Sequence, residues 1–128
     1  MKFRSLASAP IVIGLLLIPG TAQAHHGWVD FDEKADLTVS GTVTAFYFVN
    51  PHCVVEFEVK DEKGQVIKWQ GEFSNPGQLT RQGWTAASLQ AGDKIMITGH
   101  PGKNNAPAIH VSRIRLPDGR DLKVEGGR

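Results

Sequence analysis

The strongest constraint on the fold is a long run of alternating apolar and small polar residues, from Leu37 to Val49. A period of two, with many β-branched and aromatic residues, is typical of a strand with one buried face. Gly41 lies inside the run, where a bulge or tight bend lets one long strand serve two sheets. Asn50-Pro51 ends the run. The fold is therefore predicted to begin with a long, bent strand.

Further strands are predicted over residues 52–60, 65–73, 94–99, 108–116 and 121–124, with Cys53, Val55, Phe57 and Val59 facing inward. In the third strand Ile67, Trp69 and Phe73 are also expected inside. Asn75 and Pro76 precede a short helix predicted near residues 78–82, because Asn caps helices well and Pro suits a first helical turn.

This element order predicts a mainly all-β fold: a small OB-like Greek-key β-barrel of five to six strands, with one short helix between strands 3 and 4. A small sandwich is the alternative, since periodicity does not separate the two.

Residues 1–24 have the features of a secretory leader. Lys2 and Arg4 are followed by a short apolar segment, and Ala22-Gln23-Ala24 fits the signal-peptidase site. We expect cleavage after Ala24, leaving one domain over residues 25–128 with a periplasmic or secreted location. No later apolar stretch approaches the roughly 20 residues that a membrane span needs, so no membrane insertion is expected after cleavage.

The net charge of the chain indicates which classes of partner to expect. Without Lys2 and Arg4, 12 of the 14 basic residues remain against 13 acidic ones. A near-neutral chain with no basic cluster is not expected to bind nucleic acid, where phosphate neutralisation supplies much of the affinity.

Cleavage after Ala24 would make His25-His26 the mature N-terminus. An N-terminal histidine offers a metal its α-amine and its Nδ1 atom, and His26 adds a second imidazole. Such nitrogen donors suit Cu(II). We therefore predict a metal ion as the ligand, copper first and zinc second.

His52 is the best further ligand from the body of the fold, because Asn50-Pro51 sets a turn before it and alternation places it opposite Val55. Glu72 is expected to face the same groove, as a ligand or as an acceptor that orients an imidazole. The predicted metal-site residues are His25, His26, His52 and Glu72. His100 and His110 are weaker candidates; if either joined, a site with three imidazoles would suit zinc as well.

Other interpretations stay open. The two N-terminal histidines are equally explained as a loose polar end, His52 as a turn histidine, and Glu72 as a solvated carboxylate. The rival function is an OB-like binding module for a peptide, glycan or partner protein, such as an envelope protein or small ligand, without a metal role.

Catalysis is the minority interpretation, and no catalytic residue is assigned. The chain has no nucleophile elbow and no phosphate-binding glycine loop. Cys53, the sole cysteine, should point away from His52 on a regular strand, which argues against a Cys–His pair. It is expected to be buried and inert.

Several short motifs, in this order, resemble the bacterial family called domain of unknown function 6152. They are His25-His26-Gly27-Trp28, Phe31-Asp32, Gly41-Thr42-Val43, Asn50-Pro51-His52, Trp69 with Glu72, Arg81-Gln82-Gly83-Trp84, and Gly92-Asp93 with Gly99 and Pro101. The resemblance implies a small exported β-domain with no established activity.

Overall fold

Six β-strands and one α-helix make up residues 29–124, the part of the chain that the computed structural model describes. In chain order they are β1 (Leu37–Tyr47), β2 (Val54–Lys60), β3 (Val66–Glu72), α1 (Pro76–Arg81), β4 (Lys94–Pro101), β5 (Ala108–Arg115) and β6 (Asp121–Lys123). A 3₁₀ turn, Lys103–Asn105, precedes β5. Within residues 29–124 no helix has the length and apolar character needed to cross a membrane. The predicted leader lies outside the described residues.

The strands close into a barrel through β1. The first half of β1 pairs with β4 from Leu37 to Thr42, and the second half pairs with β2 from Thr42 to Tyr47. Antiparallel pairing then joins β2 to β3 and β4 to β5, while parallel pairing of β3 with β5 closes the circle. The sixth strand, β6, extends the sheet beyond β5. The order β1-β2-β3-β5-β4 is that of a Greek-key OB barrel, so the predicted fold is confirmed.

Gly41 lies next to Thr42, where β1 passes from β4 to β2 as predicted, but the bulge is elsewhere. The irregularity in β1 lies between Val43 and Ala45. At Gly41 a Cβ atom would lie 2.7 Å from the Glu58 carbonyl oxygen and 2.7 Å from Cδ2 of Phe57. A side chain at residue 41 would therefore clash with β2, which lies close to β1 there, and the register shift in β1 comes just after it.

The core lies inside the barrel and beneath α1. Its largest fully buried side chains are Trp84, Phe57, Phe73, Leu79, Ile97, Ile109 and Ile114. Cys53, Val55 and Phe57 are all buried, as the alternation on the second strand predicts, while Val59 is partly buried against the core. Phe46 packs edge-on against Phe73, which in turn packs edge-on against Trp84. These aromatic rings belong to the core.

Two local predictions are wrong in detail. Ile67 is 40% exposed although Phe73 is buried and Trp69 is partly buried. The reason is that β3 pairs with β5 only over residues 70–72, so the earlier part of the β2–β3 hairpin extends past the closed barrel. The helix begins at Pro76 rather than near residue 78, because Asn75 accepts the Gln78 amide at 2.9 Å and Pro76 occupies the first turn.

Candidate functional site

His52 and Glu72 meet on the outside of the barrel. His52 comes just before Cys53, whose amide donates to the Ser74 carbonyl and whose carbonyl accepts from the Phe73 amide, at 3.1 and 2.9 Å. These two bonds continue the β2–β3 ladder, so the buried Cys53 forces its neighbour His52 outward. Glu72 ends β3 on the same outer face, and its Oε1 atom lies 2.5 Å from Nδ1 of His52.

This contact fixes the orientation of the His52 ring. When Nδ1–H donates to the Glu72 carboxylate, the neutral imidazole has its lone pair on Nε2. A carboxylate behind an imidazole is the usual arrangement that orients a metal-binding histidine. The two side chains are 42% and 30% exposed, so a ligand in solution can reach them.

Two further histidines lie in line with this pair. His110 of β5 is the register partner of Glu72 across the β3–β5 pairing, and it is the partner of His100 across the β4–β5 pairing. The imidazole rings of His100 and His110 stack with centroids 6.4 Å apart. We call His52, Glu72, His110 and His100 the outer row. The sequence does not indicate this row, because the register of strands far apart in the chain has no local signal.

The environment of His110 disfavours its charged form. Burial lowers the pKa of His110 below the ordinary histidine value. The carboxylate of Glu72 opposes that effect, while the neighbouring rings of His100 and His52 reinforce it.

A hollow of about 470 Å³ adjoins the His52–Glu72 pair. Its walls are formed by Val29, Tyr47, Val49, Asn50, Pro51, His52, Val54, Glu56, Gln70 and Glu72. Val29 is the first residue that the structure describes. The hollow therefore contains both the His52–Glu72 pair and the point from which the preceding residues continue.

Residues 29–36, which we call the N-terminal strap, run from this hollow across the ends of β4 and β5. Asp30 forms an ion pair with Lys103, with 2.8 Å between Oδ2 and Nζ. Phe31 forms an isolated bridge with Gly102, and the Asp32 amide donates to the Pro101 carbonyl at 2.9 Å. Asp30 thus has a partner on the barrel.

Of the four predicted metal-site residues, His52 and Glu72 are brought together, whereas His25 and His26 lie outside the described residues. Within residues 29–124, no three His, Cys, Asp or Glu side chains are grouped to hold a metal ion. Cys53 faces the core, away from His52. A metal site that uses His52 therefore needs ligands from elsewhere, and the metal role of all four residues stays a prediction.

Residues 14–109 match the sequence profile of a family described as "Family of unknown function (DUF6152)". The chain belongs to this family. The match confirms the resemblance in the sequence motifs. The DUF6152 description names no activity. No curated protein matches the chain significantly.

Solved structures similar to this DUF6152 chain are distant. The mitochondrial single-stranded DNA binding protein Rim1 from S. cerevisiae has a TM-score of 0.49 and 13% identity, covering 75% of this chain and 99% of its own. A tRNA fluorescent labeling enzyme has a TM-score of 0.44 and 19% identity, over 66% of this chain and 18% of the enzyme. A mutant of TiaS in complex with agmatine has a TM-score of 0.44 and 18% identity, over 76% of this chain and 24% of that one. Similarity at this level indicates no function for the DUF6152 chain.

Proposed function

We propose that this protein is an exported metal-binding domain that takes copper first and zinc second. After cleavage behind Ala24, the ligands are the amine and ring of His25, the ring of His26 and the ring of His52, with Glu72 orienting His52. Its role is metal handling or sensing in the periplasm or outside the cell, without turnover of a substrate.

The observation that carries this proposal is the position of Val29 in the same hollow as the His52–Glu72 pair. His26 is three residues before Val29, and three extended residues span at most about 11 Å. The predicted ligand His26 is therefore tethered to a wall of the hollow that also contains the His52–Glu72 pair.

The chemistry of the donors favours copper. An amine and several imidazoles make a nitrogen-rich set, and Cu(II) leads the divalent affinity order at such sites and accepts tetragonal geometry. Zinc also binds imidazole and would take a tetrahedral set. Since residues 29–124 alone group no three candidate ligands, the proposal depends on the processed terminus.

A Cu(II) titration of protein purified from an exporting host tests the proposal, with the N-terminus checked by intact mass and binding followed by electron paramagnetic resonance. We expect one tight, nitrogen-rich tetragonal site per chain. Adding one alanine before His25 should abolish that signal, and His52→Ala should weaken binding. Gln70→Ala, which alters the same hollow, is the matched control and should bind normally. Absence of tight copper on correctly cleaved protein would refute the metal role.

The rival function also has an observation in its favour. Tyr47 and Val49 line the hollow with 46% and 52% of their surface exposed. Metal coordination does not use these apolar side chains. A binding module for a peptide, glycan or partner protein would use this wall. Replacing His25, His26 and His52 together with alanine separates the two functions, since partner binding would survive and metal binding would not.

A further inference from the structure

A second hollow adjoins the first on the outer face of the barrel. It has a volume of about 540 Å³ and lies beside the middle of β2 and β3, with Glu58 and Lys68 among its walls. Both hollows share the residues Val29, Glu56 and Gln70. The two hollows therefore form one continuous groove, which we call the outer groove.

Strand register divides the floor of the outer groove into levels. At the first level Tyr47 of β1 lies across from Val54 of β2, and at the second level Ala45 lies across from Glu56. The two β2 residues are two positions apart, so about 7 Å of extended strand separates the levels. An apolar level is thus followed by an acidic level, at the spacing of side chains on one face of a strand.

The carboxylate of Glu56 has no compensating charge on the barrel. Glu72 has a histidine partner, and Glu58 lies directly across from Lys68 in the β2–β3 register. None of the ion pairs formed within residues 29–124 involves Glu56, although it is half-buried. A half-buried carboxylate loses hydration without gaining a partner, so a cation brought to it would form a strong, charge-assisted contact.

The wall next to this carboxylate is apolar and exposed. Tyr47 and Val49 are both exposed to solvent, and Val54 lies beside them in the same hollow. The face of a tyrosine ring accepts an apolar side chain and also attracts a cation. The outer groove therefore complements a ligand that has one apolar group and one positive charge.

We propose that the outer groove binds an extended segment of a partner protein in which a basic residue stands two positions from an apolar residue. The basic side chain pairs with Glu56, and the apolar side chain packs on Tyr47 and Val54. Side chains two positions apart in an extended segment face the same way and lie about 7 Å apart, which matches the spacing of the two levels. This inference rests on the binding-module function and is independent of the metal role.

Charge complementarity favours this occupant over others. The phosphates of a nucleic acid would be repelled by the Glu56 carboxylate, and a neutral glycan would leave that carboxylate without a compensating charge. A segment with a single basic residue supplies the missing charge.

The test uses blocked pentapeptides and ¹⁵N-labelled protein from an exporting host, in a buffer that contains a metal chelator. The probes are acetyl-Thr-Leu-Thr-Arg-Thr-amide and the peptide with Leu and Arg exchanged, since the groove could be followed in either direction. We expect at least one of them to shift the amide signals of Tyr47, Glu56 and Gln70 saturably. The same peptide with citrulline in place of arginine keeps the shape and lacks the charge, and should bind about tenfold more weakly.

Variants of the protein test the same contact from the other side. Glu56→Gln should weaken binding of the arginine peptide about tenfold and leave binding of the citrulline peptide nearly unchanged. Glu58→Gln is the matched control, because it removes a neighbouring carboxylate that faces Lys68, and should change binding by a factor of about two or less.

Several results would overturn the proposal. Equal affinity for the arginine and citrulline peptides would refute the charge pairing while leaving a binding module intact, and this comparison needs no variant to fold. No saturable shift with either arginine peptide would reject a basic segment as the occupant. Shifts of the same amides with cellohexaose instead would identify a glycan, and shifts that follow protein concentration alone would identify a second copy of the chain.

Discussion

His52 and Glu72 are twenty residues apart in the chain, yet Nδ1 of one lies 2.5 Å from Oε1 of the other on the outer face of the barrel. The pair exists because the β2–β3 ladder continues through Cys53 and Phe73, beyond the ends of both strands. A buried cysteine in the core thus determines which way the neighbouring histidine points.

Glu72→Gln should weaken copper binding about 10- to 100-fold, because loss of a carboxylate behind a ligating imidazole typically has that cost. The glutamine amide can still accept from Nδ1, but it does not supply the negative charge. Competition titration against a chelator of known affinity measures the change. Glu56→Gln, which removes a charge from another wall of the same hollow, should bind within a factor of about two. Equal losses in both variants would mean that the overall charge, and not the His52 contact, matters.

Gly99→Ala should destabilise the fold by about 3 kcal/mol or more. A Cβ at this position would sit well inside contact distance of the His110 carbonyl oxygen and 2.8 Å from its carbonyl carbon, so two backbones would have to separate at the β4–β5 irregularity. Urea unfolding measures the loss. Gly92→Ala is the control: its φ of 94° makes alanine strained, but the space around it is open, and the expected cost is about 1–2 kcal/mol. A smaller loss at Gly99 than at Gly92 would contradict the close approach.

The free energy of unfolding should fall as the pH is lowered, because His110 takes up a proton more readily in the unfolded chain than in the fold. Because burial lowers the pKa of His110 in the fold, the unfolded chain takes up its proton first as the pH drops below about 6.5. This contribution to stability is therefore present above pH 6.5 and is lost as the pH falls towards the lowered pKa. The charged and titratable groups that act on the ring are Glu72, His100, His52 and Glu33.

The variant His110→Gln should lack the part of the pH dependence of stability that arises from His110. Urea midpoints of the wild type and the variant, measured at pH 7.5 and at pH 5, give the comparison, and we expect the drop between the two pH values to be smaller in the variant. An equal drop in both proteins would show that His110 does not contribute.

Cys53 should resist thiol reagents in the native protein. Its side chain is buried, and burial raises the pKa of the thiol, so little thiolate forms near neutral pH. Ellman's reagent should detect no thiol in the folded state and one thiol per chain in concentrated urea. Rapid reaction of native protein would contradict the buried position.

Local periodicity predicts the strands and their inward faces, whereas the pairing of β3 with β5 decides for the barrel over the sandwich. Alternation on the second strand identified Cys53, Val55 and Phe57 as core residues, and Asn75-Pro76 located the helix to within two residues. Each of these depends on neighbours along the chain. Ile67 was placed wrongly, because its exposure depends on how far β5 extends along β3, which is a property of a distant segment.

The sequence by itself determined the fold class, the inward faces of the strands and the outward direction of His52. Only the tertiary structure decided that Glu72 contacts His52 and that His110 and His100 complete the outer row. It also decided that residues 29–36 run from the hollow across the end of β4. The physical reason is the distance along the chain over which each feature is set. Side-chain alternation is set within a single strand, whereas strand register and barrel closure are set by packing between segments far apart in the chain.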